Sequence, residues 1–402
     1  MDASNPIVGP GSGEGGAQAG PSEPTRPPFE RIALVLQGGG ALGAYQGGVY
    51  QALAEHGLHP DWVAGISIGA INAAIIAGNP PDQRAARLRR FWELVSEPLP
   101  FEGPLGAANP PWRLDPTTHQ ILNQARAMGT ALFGAPRFFR PRIPSPALLP
   151  PASFGDLGLY DVSPVRTTLQ ELIDFDRLND GGTRLSVGAV NVRTGNFLYF
   201  DTASRRIGIE HILASGALPP GFPAVAIEGE YYWDGGLVSN TPLDWILDAP
   251  ERRDTLTFQV DLWNARGELP RTLMEADTRV KDIRFSSRTR LSTDRFRRLQ
   301  RYRRAVAALL RDVPADRLGS EHANLLAVEA DEKVYNIIQL IYHCQPYEGS
   351  SKDHEFSRPT MEEHWSAGYN DTIRTLRHPE VLRRPAADDG VFTFDIAYDG
   401  RV

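Results

Sequence analysis

The chain has 402 residues, 41% hydrophobic and 23% charged, which suits a globular core in one large domain or two ordinary ones. Its net charge of −7 argues against a general nucleic-acid binder. The single cysteine, Cys344, excludes an intrachain disulfide framework and suits a reducing compartment.

Residues 1–28 are rich in Gly, Pro, Ser and Ala and read as a disordered tail. They carry neither the basic nor the apolar region of a secretory signal. No apolar run reaches the roughly 18 residues of a membrane span, so the expected setting is the cytoplasm. Order begins at Ile32–Leu36, an apolar run suited to a strand buried on both faces. A helix is expected from Ala44 to Glu55, a strand over Trp62–Ile66 and a helix from Ile68 to Ala77. Another helix is expected from Gln83 to Leu94, with Asp82 as its N-cap.

From Pro98 to Pro151 the chain holds twelve prolines and cannot be core sheet. This insertion reads as a substrate cover or a surface excursion, with one helix near Thr117–Met128. Phe133, Phe138, Phe139, Leu148 and Leu149 within it are candidates to line an acyl pocket. Strand signals return at Leu185–Val192, Phe197–Phe200, Ala224–Ile227, Glu230–Trp233 and Thr255–Val260. Strands alternating with helices predict a layered α/β fold with a mostly parallel sheet. After about residue 265 the expected elements are a helix over Ser292–Val313, a strand over Val334–Tyr342 and a helix over Met361–Leu376.

Two glycine motifs carry the chemistry. Gly38-Gly39-Gly40-Ala41-Leu42-Gly43 has the spacing G-x-G-x-x-G between a strand and a helix, which can hold a dinucleotide pyrophosphate. That reading also needs an acidic residue at the end of the second strand, whereas Asp61 precedes it. A Walker loop fails because Ala44-Tyr45 stand where Lys-Ser/Thr is required. At the end of the second strand stands Gly65-Ile66-Ser67-Ile68-Gly69, the G-x-S-x-G of a nucleophile elbow. In a parallel sheet this elbow and the glycine turn meet at one crevice, where backbone amides can face a carbonyl attacked by Ser67. The base is expected from Asp234, followed by Gly235-Gly236 on a loop, its pKa raised by desolvation.

These three ordered motifs, with the block "ASGALPPGFPAVAIEGEYYWDGGLVSNTPL", resemble the patatin-like phospholipase family over about residues 31–262. The resemblance implies a three-layer α/β/α fold and a lipid acyl hydrolase without metal or organic cofactor. It makes Ser67 the nucleophile and Asp234 the base of a dyad, and puts Gly38, Gly39, Gly40 and Gly43 in the oxyanion turn. Many family members carry Arg or Lys where this chain has Leu42, so preference for anionic head groups is not implied. The implied division is a catalytic domain over 29–265 and a C-terminal α+β extension over 266–402. The stretch "SKDHEFSRPTMEEHWSAGY" is similar to the extension of a bacterial subgroup and carries no chemical role in this reading.

Rival readings remain open at this level. A Ser-His-Asp triad would take His343, His354 or His364. Glu355, Glu362, Glu363 and His364 cluster, but Met361 stands where a metal-binding H-x-x-E-H needs its first histidine, so no metal is expected. The arginine-rich helix 292–311 is either a surface helix with paired arginines or a peripheral membrane contact. Non-phospholipid esters, a nucleotide-binding oxidoreductase and a non-catalytic lipid-binding protein are the alternative functions.

Overall fold

The computed structural model describes residues 26–98, 115–146, 157–286, 289–314, 318–345, 347–385 and 390–396. Most of the expected tail, and Leu148 and Leu149, lie outside the described residues.

The apolar run near the start forms β1 (Arg31–Leu36), buried along its whole length. Its side chains alternate between two cores. Ile32, Leu34 and Leu36 join the larger one, while Ala33 and Val35 join a smaller one on the opposite face. That alternation requires helices on both sides of the sheet, so the architecture is three-layer α/β/α. The other strands are β2 (Trp62–Gly65), the two-residue pair β3 (Arg140–Pro141) and β4 (Tyr160–Asp161), β5 (Arg184–Asn191), β6 (Phe197–Asp201), β7 (Val225–Ile227), β8 (Glu230–Asp234), β9 (Thr255–Asp261), β10 (Tyr335–Ile341) and β11 (Val391–Phe394). The main sheet has the order β11-β10-β9-β1-β2-β5-β8-β7, with β6 paired to β5. From β11 to β5 neighbours are parallel; β6, β7 and β8 add antiparallel pairs.

On the larger-core face lie α1 (Ala44–Glu55), α2 (Ile68–Ala77) and α3 (Pro81–Val95). The third helix starts two residues earlier than the sequence suggests. Pro81 occupies its first position, where a missing N–H costs nothing, so Asp82 sits inside the first turn and is not the cap. The described residues of the proline-rich insertion add no strand to the main sheet. Its helix runs over Pro116–Phe133, and the Asp115 carboxylate caps it by accepting the Thr117 and Thr118 amides at 3.1 Å.

The segment after residue 265 continues the central sheet. β10 pairs with β9 from Tyr335 opposite Thr255 to Ile341 opposite Asp261, and β11 pairs with β10. β9 would otherwise present a bare edge. The helix Arg358–Leu376 packs against α1 at backbone distance. A Cβ on Gly48 would stand 1.9 Å from the Trp365 carbonyl oxygen, and one on Gly368 would stand 2.0 Å from that of Tyr45.

The arginine-rich helix spans Thr289–Asp312. Its Phe296 is buried against Tyr335, and Arg303 pairs with Asp248 and Glu329. Arg311 pairs with Glu332, and Arg304 donates to the Glu332 carbonyl. Of its apolar stripe, Phe296 is buried, Leu299, Val306 and Leu310 are half-buried, and Tyr302 and Leu309 face outward.

Candidate active site

The elbow is built by backbone crowding. Ser67 has φ 56° and ψ −125°, a conformation that strains a residue with a Cβ by about 1–3 kcal/mol. The strain is held from both sides. The Ser67 amide donates to Ser215 Oγ at 3.0 Å, and that hydroxyl donates to the Gly188 carbonyl at 2.7 Å. Gly69 brings α2 so close to β1 that a Cβ there would lie 2.3 Å from the Leu36 oxygen and 2.8 Å from that of Gln37. Gly65 has the same role opposite the Gly69 carbonyl, at 2.2 Å. The serine is thereby turned out at the N-terminus of α2, beside the carboxyl end of β1.

Asp234 ends β8 and is buried. Burial pushes its carboxyl up to about 6, although hydrogen bonds from the Ser67 hydroxyl and the Gly236 amide pull the other way. The Gly236 bond is 2.7 Å, and the Asp234 amide itself donates to the Ala217 carbonyl at 3.0 Å. Ser67 and Asp234 line the same cavity.

The glycine turn divides into residues that face the site and residues that hold it. Gly38 is fully engaged: its amide donates to the Asn240 carbonyl, and its own carbonyl accepts from Asn240 Nδ2 at 3.0 Å and Trp263 Nε1 at 2.8 Å. Gly43 packs against Ile68 and Trp92, away from the cavity wall, and its carbonyl accepts from Asn72. The amides of Gly39 and Gly40 donate to no acceptor among the described residues, and the same holds for Ile68, the first residue of α2. Gly40, at φ +56°, is pressed from behind: a Cβ there would lie 2.2 Å from the Asp353 carbonyl oxygen, which accepts the Ala41 amide at 3.0 Å.

These groups open into one cavity of about 260 Å³. Its wall is mostly apolar, with Phe138, Phe139, Val165, Ile212, Phe222 and Phe356 among the lining residues. Phe138 and Phe139 come from the insertion as expected, whereas Phe133 is half exposed and lies elsewhere. Asp353 and His354 complete the rim from the C-terminal segment.

Four supports of the site carry no motif: Ser215, Asn240, Trp263 and Asp353. Ser215 and Asn240 fall inside the block that resembles the family, and Asp353 inside the stretch similar to a bacterial subgroup's extension, to which the sequence attaches no chemical role; Trp263 has no signal in the sequence. Leu42 is fully buried in the larger core, a packing residue here. Asp61 accepts the Ile32 amide at 2.7 Å, at the amino ends of the strands, far from a ribose site. Among the rival bases, His364 is buried against Glu348, and His354 Nδ1 is 2.8 Å from Asp353. The acidic cluster disperses: Glu362 pairs with Arg89, Glu363 accepts from Tyr347, and Glu355 is buried against the Ser357 amide. It is therefore neither a ligand set nor a wholly solvated helix start. No group of three or more metal-ligating side chains occurs among the described residues.

Fold and site together define a three-layer α/β protein with a serine elbow at the carboxyl edge of its sheet. A family model described as patatin-like phospholipase matches residues 34–245, more than half of the chain, and a second, described as patatin phospholipase, matches residues 283–388. The chain belongs to the patatin-like phospholipase family. A triacylglycerol lipase of Arabidopsis thaliana, SDP1L, is 44% identical over 52 residues, which are 13% of this chain and 6% of that protein. The crystal structure of VipD from Legionella pneumophila aligns over 88% of this chain and 67% of its own, at 17% identity and a TM-score of 0.35. No helix among the described residues is long and apolar enough to cross a membrane.

Proposed function

We propose that the protein hydrolyses carboxylic esters of lipids through a Ser67–Asp234 dyad. The observation that carries this reading is that Ser67, on its strained elbow, and Asp234, a buried carboxyl pushed up to about 6, line one apolar cavity together with Gly39 and Gly40. A carboxylate so poised is a competent base near neutral pH, which an ordinary aspartate is not. Ser67 Oγ attacks the ester carbonyl while Asp234 takes its proton. The amides of Gly39 and Gly40, with that of Ile68, receive the oxyanion. Protonated Asp234 then gives its proton to the leaving alcohol. In the second half, Asp234 takes a proton from water as it attacks the acyl-enzyme, and returns it to Ser67 Oγ.

The apolar wall suits an acyl chain. A second substrate reading, neutral acylglycerols in preference to phospholipids, is favoured by Leu42, which leaves the glycine turn without a cation of its own. The test is labelling with a fluorophosphonate probe followed by mass spectrometry. Adduct is expected on Ser67, and Ser67→Ala and Asp234→Asn should each lower hydrolysis of a p-nitrophenyl ester by about 10⁴-fold or more. Full activity in either variant sinks the dyad. Phosphatidylcholine against triolein, offered to the active protein, decides between the two substrate readings.

A further inference from the structure

Two helices that border the cavity are built inside out. In Pro116–Phe133 the buried residues include Asn123, Arg126 and Thr130, while Ile121, Met128 and Leu132 are 63%, 65% and 61% exposed. Those three fall at i, i+7 and i+11, on one helical face. In Leu273–Phe285 no residue is buried, and Leu273, Val280 and Ile283, at i, i+7 and i+10, are 92%, 62% and 54% exposed. That helix is tied to the protein by charge: Lys281 pairs with Asp353 at 3.2 Å, Asp282 with Lys352 at 2.7 Å, and Arg279 donates to the carbonyls of Asn264 and Ala265.

Single exposed apolar residues are ordinary, but two whole stripes facing water require an apolar partner. Both helices contribute to the cavity wall, through Thr130 and Ala131 in the first and Phe285 in the second. Both also pack on the turn Gly349–Ser351, whose Ser350 carbonyl accepts from Lys281 Nζ at 2.9 Å. The charges around the stripes are largely balanced: Arg137 pairs with Glu171, Arg140 with Asp161 and Lys281 with Asp353, so the exposed apolar side chains are the dominant feature of this face beside the apolar cavity.

We infer that these two stripes form the face with which the protein docks on the surface of a lipid bilayer. Apolar side chains enter the interface, and the cavity whose wall both helices share opens toward the lipid. The inference rests on the lipid-ester reading for its purpose, but the docking can be measured without catalysis.

The experiment is flotation of the full-length Ser67→Ala protein with vesicles of phosphatidylcholine and phosphatidylglycerol. It is repeated with Leu273→Ser/Val280→Ser/Ile283→Ser, with Ile121→Ser/Met128→Ser/Leu132→Ser, and with Arg298→Glu on the arginine-rich helix. Each triple variant should lower partitioning by about tenfold or more, while Arg298→Glu leaves it unchanged. With Ser67 restored, hydrolysis of a soluble short-chain ester should stay within about twofold in both triple variants, because their side chains touch no part of the cavity. The inference is overturned if the parent protein does not float, if both triple variants float like the parent, or if Arg298→Glu alone releases it. It is also overturned if sedimentation finds an oligomer that the triple substitutions dissociate, since a second copy would then cover the stripes. Loss of soluble-ester hydrolysis in the unsubstituted protein would sink the catalytic reading and leave the docking result standing.

Discussion

The glycine turn is gripped from two directions by very different means. On one side is the elbow, five consecutive residues in which Gly65 and Gly69 let backbone press on backbone, with no side chain between. On the other side is Asp353, which arrives from the far end of the chain and lends only a carbonyl oxygen to the Ala41 amide. The elbow is rigid because its alternatives are sterically closed. The Asp353 turn is placed by two crossed ion pairs, Lys281–Asp353 and Lys352–Asp282, which tie Gly349–Ser351 to the helix Leu273–Phe285. Steric exclusion demands particular residues at particular spacings and so leaves a motif. Ion pairs demand only opposite charges that meet in space.

That contrast can be broken by substitution. The largest effect is expected from Gly69→Ala, whose methyl group would stand 2.3 Å from a β1 carbonyl with backbone on both sides and nowhere to move. A cost of at least about 3 kcal/mol is expected, with loss of soluble protein or of all ester hydrolysis, read by expression and circular dichroism. Gly40→Ala comes next. Its Cβ would collide with the Asp353 carbonyl at a left-handed position, but the opposing segment is a surface turn that can yield. A folded protein is expected whose kcat has fallen about 10²-fold, as on the misalignment of one oxyanion donor. If Gly40→Ala unfolds the protein as Gly69→Ala does, the two grips are of one kind and the contrast fails.

Lys352→Met addresses the ion pairs. Lys352 is buried over the Trp263 ring and leaves Asp282 without its cation when removed. A loss of about 3 kcal/mol in denaturant unfolding is expected, with a drop in kcat of about tenfold as the turn loosens. A drop in stability without any change in kcat would mean that the C-terminal turn braces the fold but not the site.

The smallest effect separates the two sides by pH. Asp234 must be ionised to act as a base, and its carboxyl titrates at about 6. Catalytic efficiency on a soluble ester should therefore rise through pH 6 and fall about tenfold per unit below it. Asp353 stays charged across that range: burial alone would raise its pKa, but the hydrogen bond with His354 and the charge of Lys281 hold it below the usual carboxylate value. The clamp should remain intact while the base titrates, so the acid limb should keep the same midpoint in Lys281→Ala. A midpoint that moves in that variant would assign the limb to the clamp.

Much of this site was legible without coordinates. Ser67 and Asp234 line one cavity, and both sit at ends of strands expected from alternation and apolar runs. The glycine turn was legible as a unit but not in its parts. A spacing of glycines cannot tell that Gly38 spends its amide on Asn240, that Gly43 packs against Trp92, or that the amides of Gly39 and Gly40 meet no acceptor among the described residues. Ser215, which braces the Ser67 amide, ends a short helical run at the start of the block that resembles the family, but no spacing ties it to Ser67, 148 residues away. The helix Leu273–Phe285 escaped notice because its apolar residues lie on the wrong side for a helix packed on a core.

Sequence by itself determined the layered fold, the meeting of the glycine turn and the elbow at the carboxyl ends of the first two strands, and the motif of the elbow. Those depend on local rules: apolar runs, turn residues, and glycines where backbone meets backbone. Tertiary structure alone decided that the last third of the chain extends the sheet and supports the glycine turn. It also decided that the arginine-rich helix buries Phe296 and pairs Arg303 with acidic neighbours, and that two other helices turn apolar stripes outward. Those outcomes depend on which surfaces meet after the chain has closed. A single sequence does not encode that pairing at any fixed spacing.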